Sequence, residues 1–121
     1  MKKKILVVDD FENTLFVIKF TLERAGYEVY TAKSGDDALA SVTKDKFDLI
    51  ITDFHMPKMN GIELTKAVKK DPFYLKVPMV ILSTETNQTI KTEALKAGAA
   101  IWLQKPFQPE IFLKTIEKLL R

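Results

Sequence analysis

The stretch from Leu49 to Pro57 constrains the fold more than any other part of this 121-residue chain. It reads Leu-Ile-Ile-Thr-Asp-Phe-His-Met-Pro, an apolar run that carries one carboxylate, Asp53, into a loop closed by Pro57 and then by Asn60-Gly61. A short, β-rich apolar run bounded by turn residues is typical of a strand buried on both faces. The stretch therefore predicts a hydrophobic sheet that presents a charged nucleophile or metal ligand where one strand ends.

A second apolar run, over residues 5–8, repeats this pattern and ends in two more acids, Asp9 and Asp10. The remaining acids in loops and helix starts, such as Asp36-Asp37, Asp45 and Asp48, are interpreted as capping or surface groups. Three carboxylates at the ends of two buried strands are therefore the feature that a functional interpretation must explain.

Composition limits the classes of protein that fit. The length suits one domain with one core, and 46% hydrophobic with 29% charged residues is typical of a globular chain without a membrane span. No apolar run approaches the roughly 18 residues of a membrane helix, and no signal-peptide core follows Met1, so we expect a cytoplasmic protein without a membrane partner. The absence of cysteine excludes disulfides and thiolate chemistry. The formal charge of +3 is matched by the terminal run Lys2-Lys3-Lys4, so no direct nucleic-acid binding is predicted.

The chain alternates between strand and helix patterns five times, without a repeat or a linker. Apolar runs predict strands over Lys4–Val8, Tyr27–Ala32, Phe47–Thr52, Met79–Leu82 and Ala100–Leu103. Helices are predicted between the strands and at the end of the chain. The first is capped by Asn13 or Thr14 and ended by Gly26, and the second begins at Ser34 with Asp37. The third runs from about Gly61 to Lys70, the fourth is capped by Thr86 or Asn87 and ends at Ala97-Gly98, and the fifth has Pro109 near its first turn. The helix positions assigned to the core are Leu15, Ile18, Leu22, Ala25, Ala38, Leu39, Val42, Ile62, Leu64, Thr65, Val68, Ile111, Phe112, Ile116, Leu119 and Leu120.

Strands joined by helices form right-handed crossovers and therefore a parallel sheet with helices on both faces. The first, third and fourth strands are nearly continuous apolar runs, whereas the second and fifth are mixed, which predicts that the second and fifth lie at the edges. We therefore expect an α/β single domain, a doubly wound five-stranded parallel sheet of flavodoxin-like order 2-1-3-4-5 with five helices. In that order Asp9, Asp10 and Asp53 meet at the carboxyl ends of neighbouring strands, where open α/β sheets bind their ligands.

Three clustered carboxylates repel one another, so the crevice must take up protons or a cation. Hard oxygen ligands without histidine or thiol spacing suit Mg²⁺. Ser83 ends the fourth strand and can donate a hydroxyl hydrogen bond, while Lys105 follows the fifth strand and supplies a positive charge. An acid, a divalent metal, a lysine and a hydroxyl around one pocket are the parts needed to move a phosphoryl group.

These residues give the chain a clear family resemblance. Val8-Asp9-Asp10, Thr52-Asp53 with Met56-Pro57 and Gly61, Ser83, and Lys105-Pro106 stand in the order and spacing of a response regulator receiver domain, and the resemblance covers all of residues 1–121. The chemotaxis regulators of this family are known to have the 2-1-3-4-5 order, so that order is not an independent result of the strand pattern.

The resemblance implies a phosphorylation site at Asp53. It implies that Asp53 accepts a phosphoryl group from a phosphohistidine on a sensor histidine kinase or a phosphotransfer protein, and that the domain catalyses its own phosphorylation and dephosphorylation rather than acting as an enzyme on other substrates. It further implies that Mg²⁺ is held by Asp10, Asp53 and the main-chain carbonyl of His55, with Asp9 in support. Lys105 would contact the phosphoryl oxygens and form a cis bond to Pro106.

The resemblance also implies a conformational response. Ser83 would turn toward the phosphoryl group, and the space it leaves would admit Trp102, which stands where the family usually has tyrosine or phenylalanine. Two other roles for Trp102 stay open, an aromatic side chain that covers the sheet edge and an exposed contact for a partner. The changed surface of the fourth helix, fifth strand and fifth helix would bind a downstream protein partner, and a weak homodimer through the same region stays open. His55 and Glu85 are candidates for tuning the lifetime of the phosphoryl group, or loop residues without such a role.

Three alternatives remain at this point. A receiver-like binding module would contact its partners without phosphorylation, so it would fail to label. A haloacid-dehalogenase-like phosphatase also uses a strand-end aspartate, Mg²⁺ and lysine, but expects a second aspartate where this chain has His55, and normally a cap domain. A flavin-binding, flavodoxin-like role fits least, because Asp10-Phe11-Glu12 stands where a phosphate-binding loop needs glycine and hydroxyl groups.

Overall fold

The computed structural model describes residues 2–121, in which strands and helices alternate as the pattern predicts. The strands are β1 (Lys4–Val8), β2 (Glu28–Ala32), β3 (Leu49–Asp53), β4 (Met79–Ser83) and β5 (Ile101–Gln104), and the helices are α1 (Glu12–Arg24), α2 (Gly35–Lys44), α3 (Gly61–Val68), α4 (Gln88–Ala97) and α5 (Pro109–Leu119). A short 3₁₀ helix over Pro72–Leu75, which the sequence pattern does not predict, precedes β4. Within the described residues, no helix is both long enough and apolar enough to cross a bilayer.

The five strands form one parallel sheet in the order β2-β1-β3-β4-β5, which confirms the expected topology with β2 and β5 at the edges. The register pairs Val8 of β1 with Thr52 of β3, so that Asp9 and Asp53 are the next residues along two adjacent strands. On the other side, Asp53 pairs with Leu82. Because all strands run in one direction, their carboxyl ends share a single edge of the sheet.

Alternation along β1 divides the core between the two faces of the sheet. Ile5 and Val7 pack into a cluster that includes side chains of α1 and α5, whereas Leu6 and Val8 pack into one that includes side chains of α2 and α3. Successive side chains of a strand point to opposite faces, so a strand covered on both faces must be apolar at every position. This requirement explains why β1, β3 and β4 read as unbroken apolar runs.

Side-chain caps begin three of the helices where the sequence predicts them. Ser34 Oγ accepts a hydrogen bond from the N–H of Asp37, and Asn87 Oδ1 accepts from the N–H groups of Thr89 and Ile90. Asn60 and Glu63 form a reciprocal capping box at the start of α3. Because a cap supplies an acceptor for a free main-chain N–H, these contacts fix where each helix starts.

Three expectations about helix detail were wrong. Neither Asn13 nor Thr14 caps α1, which begins earlier, after Phe11, at a terminus without a side-chain cap. Ala25 is exposed rather than inward, because it is the last residue before the chain turns at Gly26 with a φ of 100°. Ile111 is 58% exposed, since Phe112 and Ile116 set the buried face of α5 and Ile111 is one residue, or about 100° of helical rotation, away from it.

Candidate functional site

Three carboxylates meet where β1 and β3 end. Asp53 is the last residue of β3, one residue beyond the predicted end of that strand, and Asp9 and Asp10 follow β1 directly. One carboxylate oxygen from each of the three lies within 4.8 Å of the others. Asp9 and Asp53 are buried and Asp10 is half-buried, so the predicted acidic crevice is confirmed as a geometric cluster.

The free acceptor atoms of this cluster fit a divalent cation. Asp10 Oδ1 is buried and has no hydrogen-bond partner among the described residues, whereas Asp9 Oδ1 accepts from the N–H of Phe11 at 3.0 Å. A buried carboxylate oxygen without a partner is costly unless a cation satisfies it. Together with two further carboxylates and no sulfur or imidazole in the cluster, the donor set suits Mg²⁺.

Lys105 connects the cluster to the last strand. Its Nζ donates to Asp9 Oδ2 at 3.1 Å and to Asp53 Oδ1 at 3.2 Å, and its side chain is only 18% exposed. The main-chain N–H of Lys105 donates to the carbonyl of Ser83 at 2.8 Å, which holds the segment beside β4. The bond between Lys105 and Pro106 is cis, as the resemblance implied.

The environment of Asp53 raises the pKa of its carboxyl group above the ordinary 3.8. Burial is the largest cause, because it disfavours the charged form. The positive charge of Lys105 opposes this shift and the negative charge of Asp9 adds to it. A carboxylate that is poorly solvated and held in one orientation by a lysine is well prepared to act as a nucleophile.

Ser83 is fully buried at the end of β4, and its hydroxyl belongs to the loop that follows. Ser83 Oγ accepts a hydrogen bond from the main-chain N–H of Glu85 at 3.0 Å. The Glu85 carboxylate in turn accepts from the N–H groups of Thr86 and Asn87 through Oε2. Glu85 therefore organises the connection between the end of β4 and the start of α4.

His55 and Glu85, which the sequence suggested separately, lie in contact in the loops that follow β3 and β4. His55 Nε2 is 3.5 Å from Glu85 Oε1, and the histidine side chain is 57% exposed. The imidazole ring also packs edge-on against Phe54 with 4.7 Å between ring centroids. The pair joins the β3–α3 loop to the β4–α4 loop, a contact that the spacing along the chain gives no reason to expect.

Trp102 is half-buried and packs inward from β5. Its ring lies 5.5 Å from that of Phe54, and it packs against a cluster that also contains Ile81 and Ala94. Trp102 Nε1 is buried without a hydrogen-bond partner in the described part of the chain. The indole therefore contacts Phe54, the residue that follows Asp53, while its own Nε1 lacks a hydrogen-bond acceptor in the described part of the chain.

Sequence reasoning missed two features that fix the main chain around Asp53. The buried hydroxyl of Thr52 donates to the main-chain carbonyl of Asp53 at 2.9 Å, and the only signal for it was a polar residue within an apolar run. Gly61 was noted only as part of the family motif. The structure shows a steric requirement for glycine at this position, because a Cβ atom there would lie 2.7 Å from the carbonyl oxygen of Asp53. Both residues therefore restrict the main chain beside the carboxylate.

Comparison with known proteins agrees with this geometry. A family model for the response regulator receiver domain matches residues 5–117. Chemotaxis protein CheY1 of Helicobacter pylori is 37% identical over 119 residues, which cover 97% of this chain and 96% of that protein. The alkaline phosphatase synthesis transcriptional regulatory protein PhoP of Bacillus subtilis is 37% identical over 121 residues, and the chain spans 50% of its length.

Solved structures give the same result. The structure of chemotaxis protein CheY4 of Vibrio cholerae matches with a TM-score of 0.95 and 44% identity, covering 99% of this chain and 100% of that one. Because the family model matches residues 5–117 and the relatives agree in sequence and fold over nearly the whole chain, this chain belongs to the response regulator receiver domain family, the signalling domains of two-component systems.

Proposed function

We propose that residues 1–121 form a cytoplasmic receiver that accepts a phosphoryl group on Asp53 from a phosphohistidine of a sensor histidine kinase or phosphotransfer protein. The observation that carries the proposal is the arrangement around Asp53 Oδ1, which lies 3.2 Å from Lys105 Nζ inside a cluster of three carboxylates. A strand-end carboxylate with a neighbouring lysine and a place for a divalent cation suits phosphoryl transfer.

In the proposed reaction a carboxylate oxygen of Asp53 attacks phosphorus, an O–P bond forms, and the P–N bond to the donor imidazole breaks. The electron pair of the broken bond stays with the imidazole nitrogen, and water later cleaves the aspartyl phosphate to inorganic phosphate and the free carboxylate. Lys105 compensates the charge of the transferred group. Asp10, Asp53 and the main-chain carbonyl of His55 would hold Mg²⁺, with Asp9 in support, and the bound cation would neutralise charge on the phosphoryl oxygens.

Ser83 and Trp102 are the residues that we propose to couple phosphorylation to partner binding. Ser83 sits at the end of β4 and Trp102 lies on β5, within the region formed by α4, β5 and α5. Leu95 and Ile111, which are 52% and 58% exposed, supply apolar surface on α4 and α5. A downstream protein, or a second copy in a weak homodimer, would bind this region once phosphorylation shifts the population of receiver molecules toward the conformation in which Ser83 and Trp102 have moved.

We further propose that His55 and Glu85 set the lifetime of the phosphoryl group. Their 3.5 Å contact lies between the two loops next to Asp53. Side chains at this position restrict the path by which water approaches the phosphorus atom. Replacing either one with alanine would change the dephosphorylation rate more than the phosphorylation yield.

The direct experiment is incubation with acetyl phosphate and Mg²⁺, followed by intact-mass spectrometry. Wild type should gain one phosphoryl mass, Asp53→Asn should gain none, and Asp36→Asn, a matched control on the exposed first turn of α2, should label like wild type. Failure of the wild-type chain to gain a phosphoryl mass would favour the alternative function, a binding module that contacts its partners without phosphorylation. Sustained turnover of a phosphomonoester would instead indicate the haloacid-dehalogenase-like alternative.

A further inference from the structure

The charges of the protein are divided between the two edges of its sheet. In a sheet of parallel strands joined by helices, every helix ends at the edge where the next strand begins. All five helices carry a basic residue in the last turn, and four of them carry acids in the first turn. The helix ends therefore give the amino-terminal edge of the sheet more positive charge than the carboxyl-terminal edge, where Asp53 lies.

Helix dipoles explain only part of this division. A cation in the last turn of a helix stabilises the helix by itself, which accounts for residues such as Lys44 and Lys96. It does not account for Lys46 and Lys76, which precede β3 and β4 in loops, or for Lys2 and Lys3 before β1. These additional lysines lie at the starts of three adjacent strands, and all four are exposed. The basic edge is thus larger than helix stability requires.

Three of the acids at the same edge, Asp45, Asp48 and Asp71, are already engaged. Asp48 Oδ2 accepts from the N–H of Lys4 at 2.7 Å, and Asp45 Oδ1 lies 3.5 Å from Lys4 Nζ. Asp71 Oδ1 accepts from the N–H of Phe73 at 2.9 Å, where it caps the 3₁₀ helix. These carboxylates serve the fold, whereas Lys76 on the same loop has no ion pair within residues 2–121 and projects its charge into solvent.

An apolar tip stands among these lysines. The 3₁₀ helix exposes Phe73 by 43% and Leu75 by 63%, and Lys46 Nζ lies 4.2 Å from the centre of the Phe73 ring. Tyr74 between them is buried, and its hydroxyl lies 3.0 Å from the carbonyl of Asp45. The buried tyrosine fixes the turn, so Phe73 and Leu75 are held outward on a rigid support.

We propose that this edge is a peripheral binding surface for an anionic lipid bilayer. An exposed apolar turn flanked by Lys46 and Lys76 suits an interface in which apolar side chains enter the headgroup region and cations face anionic headgroups. An acidic peptide would favour a groove. Nucleic acid phosphates could contact the same lysines, but Leu75, the more exposed of the two apolar side chains, is aliphatic and offers no flat face on which a base can stack. The sequence-based expectation of no membrane partner rested on the lack of a spanning segment, which does not bear on contact at the surface.

This orientation leaves the acidic crevice facing away from the lipid. Asp53 and Lys4 lie at opposite ends of their strands, so contact through the amino-terminal edge does not cover the phosphoacceptor site. The proposal does not depend on phosphorylation, and the two can fail separately.

The test is co-sedimentation of the full chain with extruded vesicles at low salt. Vesicles of phosphatidylcholine and phosphatidylglycerol in equal parts should bind the protein, phosphatidylcholine alone should not, and added salt should release it. Lys76→Glu should weaken binding about ten-fold. Lys114→Glu makes the same charge change at an exposed site in the middle of α5 and should have a small effect.

The apolar tip is tested separately. Leu75→Ser should weaken vesicle binding several-fold, whereas Phe16→Ser, which removes a similarly exposed apolar side chain from the first half of α1, should not. Acetyl phosphate labelling of each variant provides the check on folding. The proposal is overturned if anionic vesicles bind no protein, if Lys76→Glu and Lys114→Glu weaken binding equally, or if soluble poly-glutamate displaces the protein and Leu75→Ser has no effect, which would indicate an acidic protein partner.

Discussion

The main-chain N–H of Glu85 donates a hydrogen bond to Ser83 Oγ over 3.0 Å, so the hydroxyl of Ser83 is held by the loop that follows its own strand. This bond uses only an acceptor lone pair of the hydroxyl, which keeps its own proton to donate to a phosphoryl group on Asp53, but rotation of the side chain toward that group would stretch the bond from Glu85. The proposed rearrangement of Ser83 is therefore linked to the conformation of the β4–α4 loop, which Glu85 also shapes through its contacts with Thr86 and Asn87.

Ser83→Ala should separate phosphorylation from the conformational response. We expect the variant to gain the phosphoryl mass on Asp53, while the change in Trp102 fluorescence on phosphorylation is largely lost. Thr84→Ala, which alters an exposed neighbour, is the matched control and should respond like wild type. A full fluorescence response in Ser83→Ala would contradict the proposed coupling.

Asp10→Asn should abolish stabilisation by Mg²⁺. A cation that binds the folded state stabilises it by about 2.7 kcal/mol at a hundred times its dissociation constant, so the wild-type melting temperature should rise with MgCl₂. The variant replaces the carboxylate whose Oδ1 is buried without a partner, so we expect little or no rise. Asp36→Asn should keep the wild-type rise in a thermal scan, and an equal rise in Asp10→Asn would place the cation elsewhere.

Asp53→Asn should stabilise the protein at neutral pH in the absence of metal. Burial raises the pKa of Asp53 above 3.8, so the folded state binds its proton more readily than the unfolded state does. The contribution of this protonated carboxyl group to the free energy of unfolding is complete at a pH below the pKa of Asp53 in the unfolded chain. It is lost as the pH rises through the pKa of Asp53 in the folded protein. The neutral asparagine avoids that loss, so at neutral pH the free energy of unfolding measured in urea should be roughly 1 kcal/mol higher for the variant. The gain should disappear at a pH below 3.8, and a gain that is independent of pH would show that charge burial is not its cause.

Gly61→Ala should destabilise the fold although alanine is the better helix former. The added Cβ would lie 2.7 Å from the carbonyl oxygen of Asp53 and 3.1 Å from Phe54 Cα, both main-chain atoms that cannot move aside alone. Overpacking of this kind costs about 1 to 3 kcal/mol, which urea unfolding would measure. The rate of labelling by acetyl phosphate should fall as well, since the same main chain carries Asp53. Wild-type stability would mean that the β3–α3 loop relaxes freely.

The large-scale features of the fold were predictable because they follow from burial. A strand covered on both faces must be apolar throughout, so β1, β3 and β4 were recognisable as runs, and the acids at their ends had to share one edge. The start of α1 was not predictable in the same way. The N–H of Phe11 is bonded by Asp9 Oδ1, a residue assigned to the cation site, so the helix begins before the conventional capping residues Asn13 and Thr14.

Contacts between loops account for most of what sequence could not supply. His55 and Glu85 meet because β3 and β4 are neighbours, yet nothing in their local patterns marks them as a pair. The 3₁₀ helix before β4 depends on Asp71 as its cap and on the buried hydroxyl of Tyr74, whose partners are far away in the chain. Position along the sequence predicts which side chains arrive at an edge, but not which of them then touch.

The reach of Lys105 ties the chemistry of the crevice to the most easily frayed part of the sheet. Its side chain crosses β4 to bond with Asp9 and Asp53, although the residue itself follows β5, an edge strand with a single neighbour. Edge strands open locally at a lower free energy than central ones. Each such opening withdraws the ammonium group of Lys105 and leaves the carboxylates of Asp9 and Asp53 without their counter-charge. Amide hydrogen exchange in β5 would therefore report how often the lysine leaves the carboxylates.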